Sequence, residues 1–314
     1  MLMKIMTCVI VFAAVPLVLI VPRGDSLDSE DVSVPEGATD LKIGLALGAG
    51  GANGLAHIRI LEAFDELGLV PHRIAGSSMG ALMGALYASG SSAAEIREML
   101  DEIIVQKSDS WRELFLDGKI FRWVDLVDLD IGEGGLLASD AVMARLQETI
   151  EVETFEELKV PLYVVAADLW EREEVVFSSG EILPAVKASM AVPGLFAPEI
   201  IDGRVLVDGG TVNPVPYDLL FDECDVVVAV NVIGFRTPRD ELSFLKAMFT
   251  GIQVMQAAIL REKMNQMDPD IFIETRTEDV RMLEFGKFGE IYEKALPAKE
   301  SLMTQLRERL TTPE

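Results

Sequence analysis

From residue 41 onward the chain alternates short apolar runs with longer stretches in which apolar residues recur every three or four positions. The short runs Leu41 to Leu47, Arg73 to Ser77, Val160 to Ala167, Asp225 to Val232 and Ile271 to Glu274 predict strands. Ile58, Leu61, Ala63, Phe64 and Leu67 fall at helical spacing and predict a helix from about Leu55 to Leu67, stopped by Gly68. Met79 to Ala88 is rich in Ala, Gly, Leu and Met and predicts a buried helix. Ser92 and Glu95 form a capping-box pattern at the head of another helix, running to Val105. Further helices are expected at Ser139 to Ile150 and at Ile182 to Met190, the second ended by Pro193-Gly194, with one or two around Pro297 between Gly289 and Leu310. The Met-rich stretch Ser243 to Met264 reads as a helix packed into the core. Glu174 to Phe177 pairs with the Val160 strand or its neighbour, and Ile200 to Val207 is a hairpin around Asp202-Gly203. Strands alternating with helices indicate an α/β fold with a mostly parallel sheet.

Residues 1–40 read differently. Ile5 to Val21 is an apolar run of 17 residues between Lys4 and Arg23. That is short for a bilayer span of ~20 residues and long for a signal-peptide core of ~7–15. We read it as a signal peptide or membrane anchor, so that the protein is exported or anchored. The bland alternative is a start codon placed too far upstream, which would leave the protein cytoplasmic. Leu27 to Asp40, acidic and containing Pro and Gly, is a linker to a domain over 41–314.

The formal charge of −25 excludes nucleic acid as a partner and excludes purely electrostatic attraction to anionic lipid. Cys8 and Cys224 imply no disulfide framework and no metal-ligand spacing, and no cofactor is implied. Cys224 reads as an inert buried thiol. Between 107 and 137, Trp111, Phe115, Phe121 and Trp123 crowd among acidic residues. That segment is either an amphipathic cover for the core or a lid and acyl-chain wall in contact with lipid.

Candidate chemistry gathers after the strands. Gly76-Ser77-Ser78-Met79-Gly80 reads G-x-S-x-G between a predicted strand and a predicted helix. That context holds a serine on a tight turn with its hydroxyl projecting, so Ser78 is the candidate nucleophile; the plain alternative is a helix-capping serine. The chain has two histidines, His57 and His72. His72 precedes the strand leading to Ser78, and six extended residues put it ~20 Å away at the far end of the sheet. His57 falls on the helix after the glycine-rich loop and reads as a packed helix-face residue. Neither follows Ser78, so the Ser…Asp…His order of α/β-hydrolases is impossible here. A carboxylate base remains. Asp208, heading Asp208-Gly209-Gly210, is favoured over Asp168, which reads as structural or substrate-lining. Partial burial should raise the pKa of such a base. The loop Gly48 to Gly54 opens a helix and presents backbone N–H donors suited to an oxyanion. It is not a P-loop, since no Gly-Lys-Ser/Thr follows, and Asn53 breaks a dinucleotide fingerprint.

Four ordered stretches together resemble the patatin-like phospholipase family. They are Gly44 to His57, Gly76 to Gly80, Ala188-Ser189-Met190-Ala191-Val192-Pro193-Gly194-Leu195-Phe196, and Asp208-Gly209-Gly210 with Asn213-Pro214. The resemblance covers about residues 42–233. It implies a three-layer α/β/α fold, a Ser78–Asp208 dyad without histidine, and an oxyanion hole from the backbone of Gly50 and Gly51. Gly48, Asn53, Gly54, Gly76, Gly80, Gly209 and Gly210 are then the supporting motif positions. The implied activity is cleavage of lipid acyl esters through an acyl-serine intermediate. Two positions depart from the family pattern: Ala49 replaces a usual glycine, and Asn53 replaces a usual Arg or Lys. They are the features that favour the other reading, a weakly active or inactive lipid-binding protein on the same fold.

Overall fold

The computed structural model describes residues 41–106, 152–233, 244–277, 280, 282 and 284–311. The apolar leader, the acidic linker, the aromatic segment 107–137 and the helix expected from Ser139 lie outside the described residues. Among the described residues, no helix is long and apolar enough to cross a membrane.

The described residues form one eight-stranded sheet. Its parallel strands are β1 (Ile43–Leu47), β2 (Arg73–Ser77), β3 (Leu162–Asp168), β7 (Val226–Asn231) and β8 (Ile271–Glu274). Three antiparallel strands complete it: β4 (Glu174–Phe177), β5 (Glu199–Ile201) and β6 (Arg204–Asp208). Asp202 at φ 53° and Gly203 at φ 79° make the tight β5–β6 turn expected of an Asp-Gly pair.

Side-chain parity along the strands sorts the two faces. Ile43, Leu45, Leu47, Ile74, Val164, Val228 and Val230 pack on one face under α1 (His57–Leu67), α2 (Met79–Ser89) and α3 (Ala93–Gln106). Residues of α4 (Ile182–Ser189), α6 (Phe288–Lys294) and α7 (Leu296–Thr311) join that cluster. The other face carries small residues, Ala46, Ala75 and Ala229, and receives Tyr217, Leu220 and Leu260 of α5 (Phe244–Gln266). The result is a three-layer α/β/α architecture with a thick and a thin helical layer. Right-handed crossovers account for it. The path β1 to β2 to β3 steps one way across the sheet and puts its helices on one face. The path β7 to β8 steps the other way and puts α5 on the opposite face. The reversal falls between β1 and β7, which pair in parallel, and ligand crevices of open α/β sheets form beyond the strand ends at such a reversal.

The strand and helix assignments agree with the sequence pattern to within a residue or two at most ends, and Ser92 and Glu95 form the capping box, with Ser92 N–H donating to Glu95 Oε2 at 2.8 Å. Gly68 ends α1 in the left-handed conformation, at φ 65°. Two features differ. The glycine loop tightens into a 3₁₀ turn at Gly51–Ala56 before α1 begins at His57. The Met-rich helix α5 is not simply core: Phe249 and Leu260 are buried, whereas Val254 and Met255 are exposed, and Ile252, Gln253 and Gln256 face a cleft. The cause is the thin layer, in which α5 lies across the strand ends with no further helix described outside it.

Candidate active site

β3 pairs with three strands, and its register explains how the candidate residues meet. Val164 and Val165 pair with β4 as well as with Gly76 and Ser77 of β2, so β2 and β4 lie on opposite edges of β3. Ala166 and Ala167 pair with β4 as well as with Asp208 and Val207 of β6, so β6 and β4 also lie on opposite edges. Hence β2 and β6 share one edge. They meet end to end, with Ser77 opposite Val165 and Asp208 opposite Ala166. The residue after Ser77 and the last residue of β6 are thereby placed beside each other.

Ser78 sits at φ 54° and ψ −121°. Such backbone costs roughly 1–3 kcal/mol for a non-glycine residue and persists only where its surroundings over-determine it. Several contacts do so here. The Ser78 carbonyl accepts the N–H groups of Ala81 at 2.9 Å and Leu82 at 3.2 Å, opening α2. Its own N–H donates to Ser189 Oγ at 2.8 Å. A Cβ at Gly80 would stand 2.0 Å from the Leu47 carbonyl oxygen, so only glycine lets the first turn of α2 rest directly on the end of β1. The preceding residue is tied to the far side of the site, because Ser77 Oγ donates to the Asn213 carbonyl at 2.6 Å.

Asp208 is 3% exposed. Its Oδ1 accepts the Gly210 N–H at 2.7 Å, and its own N–H donates to the Ala191 carbonyl at 2.9 Å. Its Oδ2 is buried and has no partner at normal hydrogen-bond distance and angle. Burial pushes the carboxyl up to about 6, against the Ser78 hydroxyl and the Gly210 N–H, which pull it down. The Ser78 hydroxyl thus stands near the carboxylate in a contact looser than a full hydrogen bond, a common state of catalytic pairs without substrate.

Both residues open into one cleft of ≈ 360 Å³, its solvent-filled mouth included. Among the described residues, Ala49, Gly50, Gly51, Val192, Pro193, Thr211, Ile252, Gln253, Gln256 and Met282 also line it. Around the glycine loop, the Ala49 N–H is taken by the Pro214 carbonyl at 2.8 Å and the Ala52 N–H by the Met282 carbonyl at 2.8 Å. Between them the N–H groups of Gly50 and Gly51 have no partner among the described residues. Gly51 has φ +56°, and a Cβ there would meet the Met282 carbonyl oxygen at 2.4 Å, so this position too requires glycine.

The other sequence candidates lie elsewhere. His57 is fully buried on α1, with Nε2 donating to the Gly48 carbonyl at 2.8 Å. Burial holds its pKa down at about 4, so the ring is neutral and fixes the loop from beneath. His72 is exposed at the opposite end of the sheet, its N–H on the Ile43 carbonyl. Asp168 caps the turn after β3 by accepting the N–H groups of Trp170 and Glu171, each at 3.0 Å. Asn53 is fully buried, accepts the Thr277 hydroxyl at 2.9 Å and does not line the cleft. Ala49 carries no positive φ and fits without strain. Cys224 is buried, and its thiol is pushed up to about 11 by that burial.

Three residues at or behind the cleft, Ser189, Gln253 and Gln256, are not legible in the sequence. Ser189 lies inside a quoted family motif, but nothing local says its hydroxyl reaches Ser78. Gln253 and Gln256 lie in a helix whose methionines gave a core pattern.

The patatin-like phospholipase family model matches residues 45–221, which is more than half of the chain. The chain belongs to the patatin-like phospholipase family. The match takes in both the glycine loop and Asp208, while α5 lies beyond it. An uncharacterized NTE family protein of Mycobacterium tuberculosis is 34% identical over 199 residues, 63% of this chain and 51% of its own length. Neuropathy target esterase sws of Drosophila melanogaster is 30% identical over 185 residues, 58% of this chain and 12% of its own length. The chain therefore aligns with about half of the mycobacterial relative and with a small part of the fly protein. Among solved structures, VipD from Legionella pneumophila aligns with 86% of this chain and 67% of its own, at a TM-score of 0.49 and 15% identity.

Proposed function

We propose that this patatin-family chain is a serine acyl hydrolase that cleaves lipid acyl esters with a Ser78–Asp208 pair. The observation that carries the reading is the buried Asp208 carboxylate, with one oxygen left unpartnered, acting on the Ser78 hydroxyl in one cleft. Ser78 Oγ attacks the ester carbonyl carbon while its proton passes to Asp208 Oδ2. The Gly50 and Gly51 N–H groups take the oxyanion that forms on the carbonyl oxygen. The tetrahedral intermediate collapses, the C–O bond to the alcohol breaks, and Asp208 returns the proton to the leaving oxygen. Water then repeats the sequence on the acyl-serine, releasing the fatty acid and restoring Ser78. A pKa near 6 suits this task, because the carboxylate is ionised at neutral pH yet far more basic than an exposed aspartate. A lipid ester substrate is supported by the apolar part of the cleft, Val192, Pro193, Ile252 and Met282, and by the phospholipase description of the family.

The two departures from the family pattern leave this reading intact. Asn53 stands outside the cleft, and Ala49 keeps the loop backbone that carries the two free donors. The deciding experiment is covalent labelling by a serine-reactive fluorophosphonate, followed by hydrolysis of a soluble acyl ester. Labelling should vanish in Ser78→Ala and slow by ~10²-fold or more in Asp208→Asn, the scale of removing a general base. A folded wild-type protein that neither labels nor hydrolyses esters would sink the reading.

A further inference from the structure

Gln253 and Gln256 sit one turn apart on α5 and both line the cleft that holds Ser78 and Asp208. They are 9% and 8% exposed. Neither side-chain amide has a hydrogen-bond partner among the described residues. Neither amide is shut off from solvent, so water can pair both while the cleft is empty; a bound ester that displaces this water must pair them in its place. Each is uncharged and carries both donors and an acceptor, which matches a group that itself gives and takes hydrogen bonds.

Their position tells which half of an ester they would meet. A Cβ built on Gly210 would lie 2.6 Å from Gln256 Nε2 and 2.9 Å from Asp208 Oδ1, so the amide stands beside the carboxylate. Asp208 must reach the leaving oxygen to return its proton. Groups next to it therefore face the alcohol half rather than the acyl tail.

Resting on the hydrolase reading, we infer that Gln253 and Gln256 form the subsite for the alcohol half of the ester. They select alcohols that carry a neutral hydrogen-bonding group, such as a free hydroxyl, next to the scissile oxygen. Plain alkyl esters leave both amides unpaired.

The test uses the full chain and two probes of equal acyl length, 1-hexanoylglycerol and its 2,3-di-O-methyl ether. Binding is measured on Ser78→Ala, which cannot turn the probes over, and turnover on the unaltered protein. The hydroxyl probe should bind ~10-fold more tightly than the ether. That preference should fall to about twofold or less when Gln253→Met and Gln256→Met are combined with Ser78→Ala, since neutral hydrogen bonds contribute on this scale. Equal binding of the two probes, no binding of either, or a preference that survives both substitutions overturns the inference. If the double methionine variant fails to fold, Gln253→Met and Gln256→Met are combined with Ser78→Ala one at a time, and the preference must fall in each. A clear preference in binding without any Ser78-dependent turnover would instead count against the hydrolase reading and leave the subsite standing.

Discussion

The Ser189 hydroxyl accepts the backbone N–H of Ser78 at 2.8 Å, and two residues further on the Ala191 carbonyl accepts the N–H of Asp208 at 2.9 Å. One short segment at the end of α4 therefore clasps the main chain at both members of the pair. The clasp also commits the Ser78 N–H, which is therefore not free to meet a substrate.

Removing that clasp is the first prediction. In Ser189→Ala the buried Ser78 N–H loses its acceptor, which should cost about 1–3 kcal/mol of stability. Ser78 should also wander from Asp208, so kcat should fall ~10-fold with KM little changed. Melting temperature and steady-state kinetics on a soluble ester check this. A merely structural role would lower the melting temperature and leave kcat alone.

The second concerns pH. With the Asp208 carboxyl at about 6, its base form is lost as pH falls below that value. Fluorophosphonate labelling of Ser78 should rise about tenfold per unit up to roughly pH 6 and level off above it. An acid limb near pH 4 would mean that an exposed carboxylate, not Asp208, takes the proton.

Third, the same group should penalise folding. Its folded value, about 6, lies above the unfolded 3.8. The protein is then most favoured, relative to a neutral replacement, when Asp208 is protonated below pH ~4, and that advantage is lost as pH rises through 6. Asp208→Asn should therefore gain stability over wild type at pH 8, by up to about 3 kcal/mol at 1.36 kcal/mol per pKa unit. The gain should shrink toward pH 4. Denaturant unfolding at the two pH values reads it directly, and a variant less stable at pH 8 than at pH 4 relative to wild type contradicts it.

His57 should show the opposite sign. Its folded value of about 4 lies below the unfolded 6.5, so the stability it contributes is present above pH 6.5 and drains away as pH falls toward 4. His57→Gln keeps a donor for the Gly48 carbonyl and has nothing to titrate. Between pH 6.5 and 4 the wild type should lose about 3 kcal/mol relative to this variant. Parallel unfolding curves for the two proteins across that window would refute the assignment.

Much of this site is legible in the sequence because glycines and turn residues mark it locally. Gly76 to Gly80 fixes the elbow, Asp208-Gly209-Gly210 fixes the turn after β6, and the placement of the two histidines excludes a triad. The exclusion of His72 rests on the same local logic, whereas Asp168 reads from sequence only as structural or substrate-lining and its turn-capping role comes from the fold. What could not be seen depends on contacts across the fold. That β2 and β6 share one edge of β3 follows from three-way pairing, which no single strand announces. Gln253 and Gln256 are hidden in a helix whose methionines read as core packing, until α5 brings them to the cleft. Ser189 closes onto Ser78 over a long stretch of intervening chain, where periodicity carries no information.

The end-to-end meeting of β2 and β6 on β3 also orders events in time. A chain emerging from the ribosome can build β1, α1, β2 and α2 from near neighbours, and with them the bent serine. It has no acid until β3 is in place and the hairpin that ends at Asp208 has turned back along it. Under the proposed reading, the two halves become a reactive pair only when the sheet that joins them is finished, so the growing chain carries no working centre during its own synthesis.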